Sequence, residues 1–250
     1  MSRRIPKTIG PMINEEIKKV PKTRQALKIG DIVYFKYNPA SVGMTVDDER
    51  NKQSMVVSGD GIASNKLECI QFNANGPKNG QFLSKKCFFV VETASKYNYA
   101  ELLDKVTKQF QQENMKGGKL TPEQQDRLNK LRQKVNEEKK ENELENEASK
   151  GQPVIYGREI QLRHKYSDTL LTLNSHKLSK QYGCVELGLE EIGSSLSNFK
   201  FLSNNNLRGK EDIVHYSDSL VLGCAKDPSM FVHVWSDDKP ESSYLPLLFI

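Results

Sequence analysis

Residues 138–174 have the sequence EKKENELENEASKGQPVIYGREIQLRHKYSDTLLTLN, and this stretch changes from a helical pattern to a strand pattern. Before Gly151 it is a run of charged residues, which is typical of a solvent-exposed helix face. After Gly151 it is rich in β-branched and aromatic residues, and Ile160 and Leu162 alternate with polar neighbours as in a half-buried strand. The stretch therefore predicts a helical segment that leads directly into a β domain.

The helical pattern extends back to about residue 97. A first apolar stripe at helical spacing is formed by Leu102, Leu103, Val106 and Phe110. The GGKL run at residues 117–120 ends that helix, and Thr121 with Pro122 and Gln124 then matches a capping box that begins a second one. The second helix continues the stripe with Leu128, Leu131 and Val135. We predict a helical hairpin arm at about residues 97–150.

The sequence on both sides of this arm has a β pattern. Short apolar and aromatic runs are separated by Gly, Asn and Pro turn signals, from IGDIVYFKY at residue 29 to YLPLLFI at the end of the chain. About twelve strands can be counted, the number that a threefold β-trefoil needs. We predict a mostly β fold, a β-trefoil over residues 28–250 with an inserted helix-turn-helix arm. Residues 1–27 are predicted to be a basic flexible tail.

The composition argues against several classes of function. The formal charge is +5 over 250 residues, which is too diffuse for a nucleic-acid-binding domain. No apolar run approaches the roughly 20 residues that span a bilayer, and the first residues lack the apolar core of a signal peptide. We expect a cytosol-facing chain with no direct membrane insertion and no nucleic-acid partner.

The sequence contains no recognisable catalytic or metal-binding pattern. It lacks a HExxH pair, a GxSxG elbow, a P-loop and a dinucleotide-binding glycine motif. The four cysteines are not in CxxC pairs, so a zinc cluster is not predicted. His164, at a strand end, is expected to be a structural residue that donates a hydrogen bond. We predict that the chain is not an enzyme and needs no cofactor or metal.

The stretch at residues 138–174 resembles the passage from arm to strand in the N-terminal domain of inositol trisphosphate receptors. In that family a charged helix of the type EKK-x-N-E-x-E-N precedes a VIQYG-type strand, an I-Q-L-x-H-x-x-S turn and an L-T-V-N strand. The matching residues here are Glu138-Lys139-Lys140, Asn142-Glu143, Glu145-Asn146, Val154, Tyr156-Gly157, Ile160-Gln161-Leu162, His164, Ser167, Leu171-Thr172 and Asn174. Weaker similarity extends the resemblance over about residues 28–250.

This resemblance implies a β-trefoil with an arm inserted between strands, related to the first domain of ryanodine receptors and to MIR trefoils. It implies a suppressor domain at the cytosolic front of a tetrameric calcium-release channel, next to the endoplasmic reticulum membrane. Such a domain lowers the ligand affinity of the neighbouring core and acts through inter-domain contacts. The inositol phosphate binds between the next two domains, so we expect no direct inositol trisphosphate binding by this chain alone.

Two alternatives to a channel domain remain: a stand-alone trefoil scaffold or adaptor in a large assembly, and a MIR-like ligand-binding trefoil. For protein partners we expect three candidate surfaces: the basic tail, the arm and the loop with Asn205 and Arg208. The arm stripe of Leu128, Leu131 and Val135 is predicted to be the principal docking surface, because the arm offers both an apolar stripe and a charged face. That loop, Ser203-Asn204-Asn205-Asn206, lacks the aromatic residues that the family usually carries there. Among the motif residues, Tyr156, Gly157, Leu162, His164 and Ser167 are expected to be structural.

Overall fold

The structure is a computed structural model that describes residues 24–37, 54–72, 84–113, 120–178, 185–203, 209 and 211–232. Most of the predicted tail and the predicted closing strand near the C-terminus lie outside these residues. The part of the tail that is described, residues 24–27, belongs to the β body, because Leu27 is fully buried in its core. The body therefore begins a few residues earlier than the sequence analysis placed it.

The described chain is mostly β, with two α-helices. The strands are β1 (Ile32–Val33), β2 (Lys36–Tyr37), β3 (Ser54–Gly59), β4 (Leu67–Phe72), β5 (Phe89–Thr93), β6 (Glu159–His164), β7 (Thr169–Leu178), β8 (Val185–Glu190), β9 (Phe199–Ser203) and β10 (Leu220–Cys224). The helices α1 (Asn98–Glu113) and α2 (Pro122–Ser149) lie between β5 and β6. The predicted fold class, a β-trefoil-like domain with an inserted helical arm, is confirmed.

Strand β6, which the stretch at residues 138–174 supplies, is central to the body. It pairs antiparallel with β5, β7 and β9, and the larger sheet continues through β1, β8 and β10. A second sheet contains β2, β3 and β4 in that order. The sequence of β6 is EIQLRH, and its buried positions Ile160, Leu162 and His164 face the core of the body.

Three short segments of the body hydrogen-bond to one another in a cycle. The amide of Leu27 donates to the carbonyl of Val214, and the amide of Val214 donates to the carbonyl of Val154. The amide of Val154 donates in turn to the carbonyl of Leu27, and each of the three bonds is 2.8 Å long. All three side chains are fully buried. The cycle is the threefold pseudosymmetry of a trefoil, expressed in three main-chain hydrogen bonds.

The three segments also share a backbone conformation after the buried residue. Three positions after each buried residue the backbone is left-handed, with φ of 94° at Gly30, 80° at Gly157 and 68° at Ser217. Strands β1, β6 and β10 begin shortly afterwards. Glycine is favoured at such a turn because a Cβ atom strains a backbone with positive φ. This conformation explains why a glycine suits position 157 of the motif.

The core of the body consists of the inward side chains of these strands. It includes Phe89, Phe199 and Phe201, all fully buried, together with Leu162 and Leu220. Two 3-10 turns precede the strands that carry the phenylalanines, Lys85–Cys87 and Ser195–Ser197, and a serine side chain caps each of them. The arm contributes no residue to this described core.

The arm runs from Asn98, at the start of α1, to Ser149, at the end of α2. Thr121 and Gln124 form the predicted capping box, because the Thr121 amide donates to the Gln124 side chain at 3.0 Å and the Gln124 amide donates to Thr121 Oγ1 at 3.2 Å. Pro122 occupies the first turn of α2, where its missing N–H costs no intrahelical hydrogen bond. The run of charge that follows is helical to Ser149.

Candidate interaction site

The two helices of the arm pack on each other through a small apolar cluster of their own. Val106 and Phe110 of α1 meet Leu128 and Leu131 of α2, and all four are buried, with Leu103 beside them. Two of the three arm residues proposed for partner binding, Leu128 and Leu131, thus lie inside the hairpin. Val135, one turn further along α2, is half-buried. Whether these residues also contact a partner stays a prediction.

The same stripe of α2 continues towards the body with polar residues. Beyond Val135 its members are Glu138, Asn142 and Asn146, here called the polar stripe. These residues are four apart, so they lie on one face of the helix, in line with the apolar stripe. They face residues 93–99, here called the connecting segment, which joins β5 to α1. Helix α2 therefore packs with apolar side chains on α1 and with polar ones on the connecting segment.

The polar stripe hydrogen-bonds to the main chain of the connecting segment. Asn146 Oδ1 accepts from the amide of Thr93 at 3.2 Å. Asn142 bonds both main-chain groups of Lys96: its Oδ1 accepts from the amide at 2.9 Å, and its Nδ2 donates to the carbonyl at 2.9 Å. The two asparagines therefore satisfy main-chain groups of Thr93 and Lys96 from the arm.

Glu138 caps the first turn of α1 although it belongs to α2. Its carboxylate accepts from the amide of Asn98 at 2.9 Å and from the amide of Tyr99 at 3.2 Å. Those amides are among the groups that a helix leaves unsatisfied at its N-terminus, where the helix dipole also favours a negative charge. Glu138 is only 6% exposed, so this buried carboxylate fixes the start of one helix against the middle of the other.

The body contacts the connecting segment from its other side. Asn198 Nδ2 donates to the carbonyl of Ser95 at 3.0 Å. Gln161 of β6 accepts from Ser95 Oγ at 3.0 Å and donates to the Tyr97 hydroxyl at 2.7 Å. Burial raises the pKa of Tyr97 above its ordinary value. The connecting segment is thus held between arm and body by side-chain hydrogen bonds.

A more exposed contact also joins α1 to the body. Ser195 Oγ donates to Glu101 of α1, and Lys226 Nζ lies 3.2 Å from Glu101 Oε1 and 2.6 Å from Ser195 Oγ. The hydrogen bond from Ser195 and the charge of Lys226 hold the pKa of Glu101 below its ordinary value. The three residues come from α1, a 3-10 turn and the loop after β10, so this contact also orients the arm.

A cleft of about 370 Å³ opens between the arm and the body. Helix α2 lines it with Val135, Lys139 and Glu143, and the body lines it with Arg163 and residues 191–193. Charged side chains of both signs surround it, and Ile192 at its body side is 83% exposed. The cleft is the concave surface that the arm creates.

The structural residues of the motif occupy positions in the body. Leu162 is in the core, and the Tyr156 hydroxyl donates to the buried Asp218 Oδ2 at 3.0 Å. His164 Nε2 contacts the carbonyl of Lys86 at 3.0 Å, and its Nδ1 contacts Ser167 Oγ at 2.7 Å. Because a carbonyl only accepts, Nε2 carries the hydrogen and donates to it.

The other proposed partner-binding residues, Asn205 and Arg208, lie outside the residues that the structure describes. The function of the polar stripe was not predicted from the sequence, nor was that of Asn198, Ser195 and Lys226. A signal for the stripe was present, because Glu138, Asn142 and Asn146 continue the spacing of Leu128, Leu131 and Val135. Nothing in the spacing of the other three indicates that they meet the arm.

The described residues form no group of three or more His, Cys, Asp or Glu able to hold a metal ion. Neither α1 nor α2 is long and apolar enough to span a membrane. The site consists of a helical hairpin, its polar attachment and the cleft beside it.

Comparison with known families gives a match over most of the chain. The family model described as inositol 1,4,5-trisphosphate/ryanodine receptor matches residues 22–243. A search of curated proteins finds no match to the chain. The matched range contains the whole described β body, the connecting segment and the arm, so the resemblance seen at residues 138–174 extends to the entire described fold.

Proposed function

We propose that this chain, which belongs to the inositol 1,4,5-trisphosphate/ryanodine receptor family, is a regulatory domain that acts on the ligand-binding core of a calcium-release channel through inter-domain contacts. The family consists of channels rather than enzymes. In this proposal the domain faces the cytosol at the endoplasmic reticulum membrane and assembles with other channel domains into a homo-tetramer. The domain itself carries no ligand.

The observation that carries this proposal is the specific polar attachment of the arm. A regulatory domain that works by contact needs its contact surface presented at a defined angle in the state that makes the contact. Here Glu138, Asn142 and Asn146 bond the connecting segment at distances of 2.9–3.2 Å, and Glu101 contacts Ser195 and Lys226 from the other helix. The arm is therefore oriented by specific bonds at its base.

The partner surface that we propose on the arm includes Val135 rather than the two leucines beside it. Leu128 and Leu131 are only 4% and 9% exposed because they hold the hairpin together, whereas Val135 is half-buried at the cleft. The loop with Asn205 and Arg208 remains the rival surface, since an arginine is the kind of residue that anchors an interface.

The test joins the chain in front of the ligand-binding core of an inositol trisphosphate receptor. The dissociation constant for inositol trisphosphate is then measured by calorimetry with and without the chain. We expect the chain to weaken ligand binding about tenfold, within the usual range of coupling between sites. An unchanged dissociation constant contradicts the proposal and favours a scaffold or adaptor that uses the same fold.

Variants of the fused protein separate the two surfaces. Val135→Asp should restore most of the ligand affinity, because a charge at the cleft disrupts an apolar contact. Asn136→Asp is the matched control, since it adds the same charge at an exposed neighbouring position of α2. If Arg208→Ala restores more affinity than Val135→Asp does, the loop is the main contact and the arm is secondary.

A further inference from the structure

The arm and the body have separate hydrophobic cores. The body core contains Phe89, Leu162 and their neighbours, and the arm cluster contains Val106, Phe110, Leu128 and Leu131. Among the described residues the two clusters share no member. Apolar packing therefore makes each of them a unit, but it does not join one to the other.

The contacts described between the arm and the rest of the chain are mainly polar. They include the bonds from Asn142 and Asn146 to Lys96 and Thr93, an ion pair of 3.6 Å between Lys96 and Glu145, and the contact of Glu101 with Ser195 and Lys226. Separating a polar contact of this kind lets water replace each lost hydrogen bond. The net loss is small for each bond compared with exposing an apolar core.

Space for movement is present beside the polar stripe. The cleft of about 370 Å³ separates α2 from Arg163 and residues 191–193, so the arm is not packed flush on that side of the body. The connecting segment has no helical or strand structure between Thr93 and Asn98, where residues 94–97 link β5 to α1. Changes of backbone angle there and at residues 150–151, where the chain returns from α2 to the body, would reorient both helices together.

We propose that the arm moves as one rigid unit about its two connections to the body, residues 94–97 before α1 and residues 150–151 after α2, between the docked position described here and an undocked position. Asn142 and Asn146 of the polar stripe set the balance between the two positions. Undocking breaks the bonds from Asn142 and Asn146 while the cluster of Leu128, Leu131, Val106 and Phe110 stays intact. The two helices keep their mutual packing throughout. This inference follows from the packing of the chain alone and does not depend on the proposed role in a channel.

The test measures a distance between arm and body in the full chain. Fluorescent labels are attached through non-natural amino acids at Lys130 on α2 and Lys165 on the body, both exposed. Energy transfer between the labels is compared for the unchanged chain, Asn142→Ala, Asn146→Ala and the double variant. We expect the undocked population to rise by about tenfold for each hydrogen bond removed. Asn142→Ala removes two bonds and Asn146→Ala removes one, so Asn142→Ala should have the larger effect. Asn136→Ala, an exposed asparagine of the same helix, is the control and should leave the distribution unchanged.

Amide hydrogen exchange on the same variants distinguishes movement from melting. We expect faster exchange at Thr93 and Lys96, with protection retained along α1, α2 and β6. Exchange that accelerates throughout α1 and α2 shows that the arm unfolds rather than moves, which overturns the proposal. A loss of protection in β6 shows that arm and body form one cooperative unit and overturns it equally. A double variant whose label distances match those of the unchanged chain also overturns the proposal.

Discussion

His164 lies at the end of β6, where its ring joins two parts of the body. It is fully buried, its ring centroid lies 5.2 Å from that of Phe89, and both ring nitrogens have partners, Ser167 Oγ and the carbonyl of Lys86. The histidine therefore fastens the turn that follows β6 and the 3-10 turn that precedes β5 to the same core. Both the shape of the ring and its two hydrogen bonds therefore favour a histidine at this position.

Replacing His164 should destabilise the body strongly. His164→Ala removes a buried ring and leaves the Lys86 carbonyl and the Ser167 hydroxyl without their partner. We expect a loss of about 3 kcal/mol in the free energy of unfolding, measured by urea titration. Lys165→Ala, at the exposed next position, should change it by less than about 0.5 kcal/mol. Equal effects of the two substitutions would show that the ring is not a structural centre.

The threefold cycle predicts a stabilising substitution at Ser217. Its φ of 68° matches the left-handed conformation of Gly30 and Gly157, but a serine pays the steric cost of its Cβ atom there. Ser217→Gly should raise the free energy of unfolding by about 0.5 kcal/mol. The gain is small because the greater freedom of glycine in the unfolded chain offsets part of the relieved strain.

The reciprocal change, Gly157→Ser, should lower the free energy of unfolding by about 1 kcal/mol for the same reason. Urea titration of both variants provides the comparison. If the two substitutions shift stability in the same direction, the two positions are not equivalent in the way that the backbone indicates.

The contact of Glu101 with Ser195 and Lys226 predicts a dependence of stability on pH. The pKa of Glu101 is lower in the folded chain than its ordinary value of 4.5, so the unfolded state takes up the proton first as the pH falls. The contribution of this carboxylate is therefore fully present above pH 4.5 and is lost as the pH falls through the lower folded value. Glu101→Gln should lower the Tm at pH 7, and the difference from the unchanged chain should shrink below pH 4.5.

The control for this experiment is Glu143→Gln, an exposed glutamate of α2. It should give little difference in Tm at either pH. A Glu101→Gln difference that stays constant down to the acid limit of the folded state would show that the carboxylate does not stabilise the fold through its charge.

At the scale of the elements, α2 shows which features the sequence could predict and which it could not. The capping box at Thr121 and the apolar stripe of Leu128 and Leu131 were predictable, because local hydrogen bonding and helical spacing determine them. The partner of that stripe was not predictable. An apolar stripe has the same pattern whether it packs on the other helix of a hairpin or on another protein. Glu138 and Asn142 were hidden for a second reason, because polar residues in a charged helix normally face solvent.

The separate cores predict that the body folds without its arm. Replacing residues 100–149 by a short Gly/Ser linker removes the arm cluster and the polar stripe, but it leaves the described core of the body intact. The amides of Thr93 and Lys96 then become accessible to water, which can satisfy them. We expect a single cooperative thermal transition with a β-type circular dichroism spectrum. A variant without a cooperative transition would show that the arm is part of the folding unit.

At the scale of the whole molecule, the three equivalent segments around Leu27, Val154 and Val214 explain why the fold could be predicted from the sequence. Few of the individual contacts could be predicted. The strand count and the turn signals indicated a trefoil, and the cycle through Leu27, Val154 and Val214 is its physical basis. The repeat itself went unnoticed in the sequence, because the three segments share only a buried residue and a left-handed position three residues later. Tertiary hydrogen bonds, rather than a repeated motif, make them equivalent.

The distribution of charge leads to the last prediction, that the isolated chain does not bind inositol trisphosphate. A ligand with several phosphate groups needs a cluster of basic side chains that are free to surround it. In the described body, Arg163 is paired with Glu92 at 2.8 Å, Lys200 with Glu159 at 3.1 Å, and Lys226 with Glu101 at 3.2 Å. At physiological salt the diffuse positive charge that remains is largely screened. Titration calorimetry of the chain alone should therefore give no saturable heat, whereas the chain fused to a receptor ligand-binding core, as the positive control, should bind. Saturable binding by the isolated chain at micromolar ligand would contradict this prediction and would favour a ligand-binding trefoil over a regulatory domain.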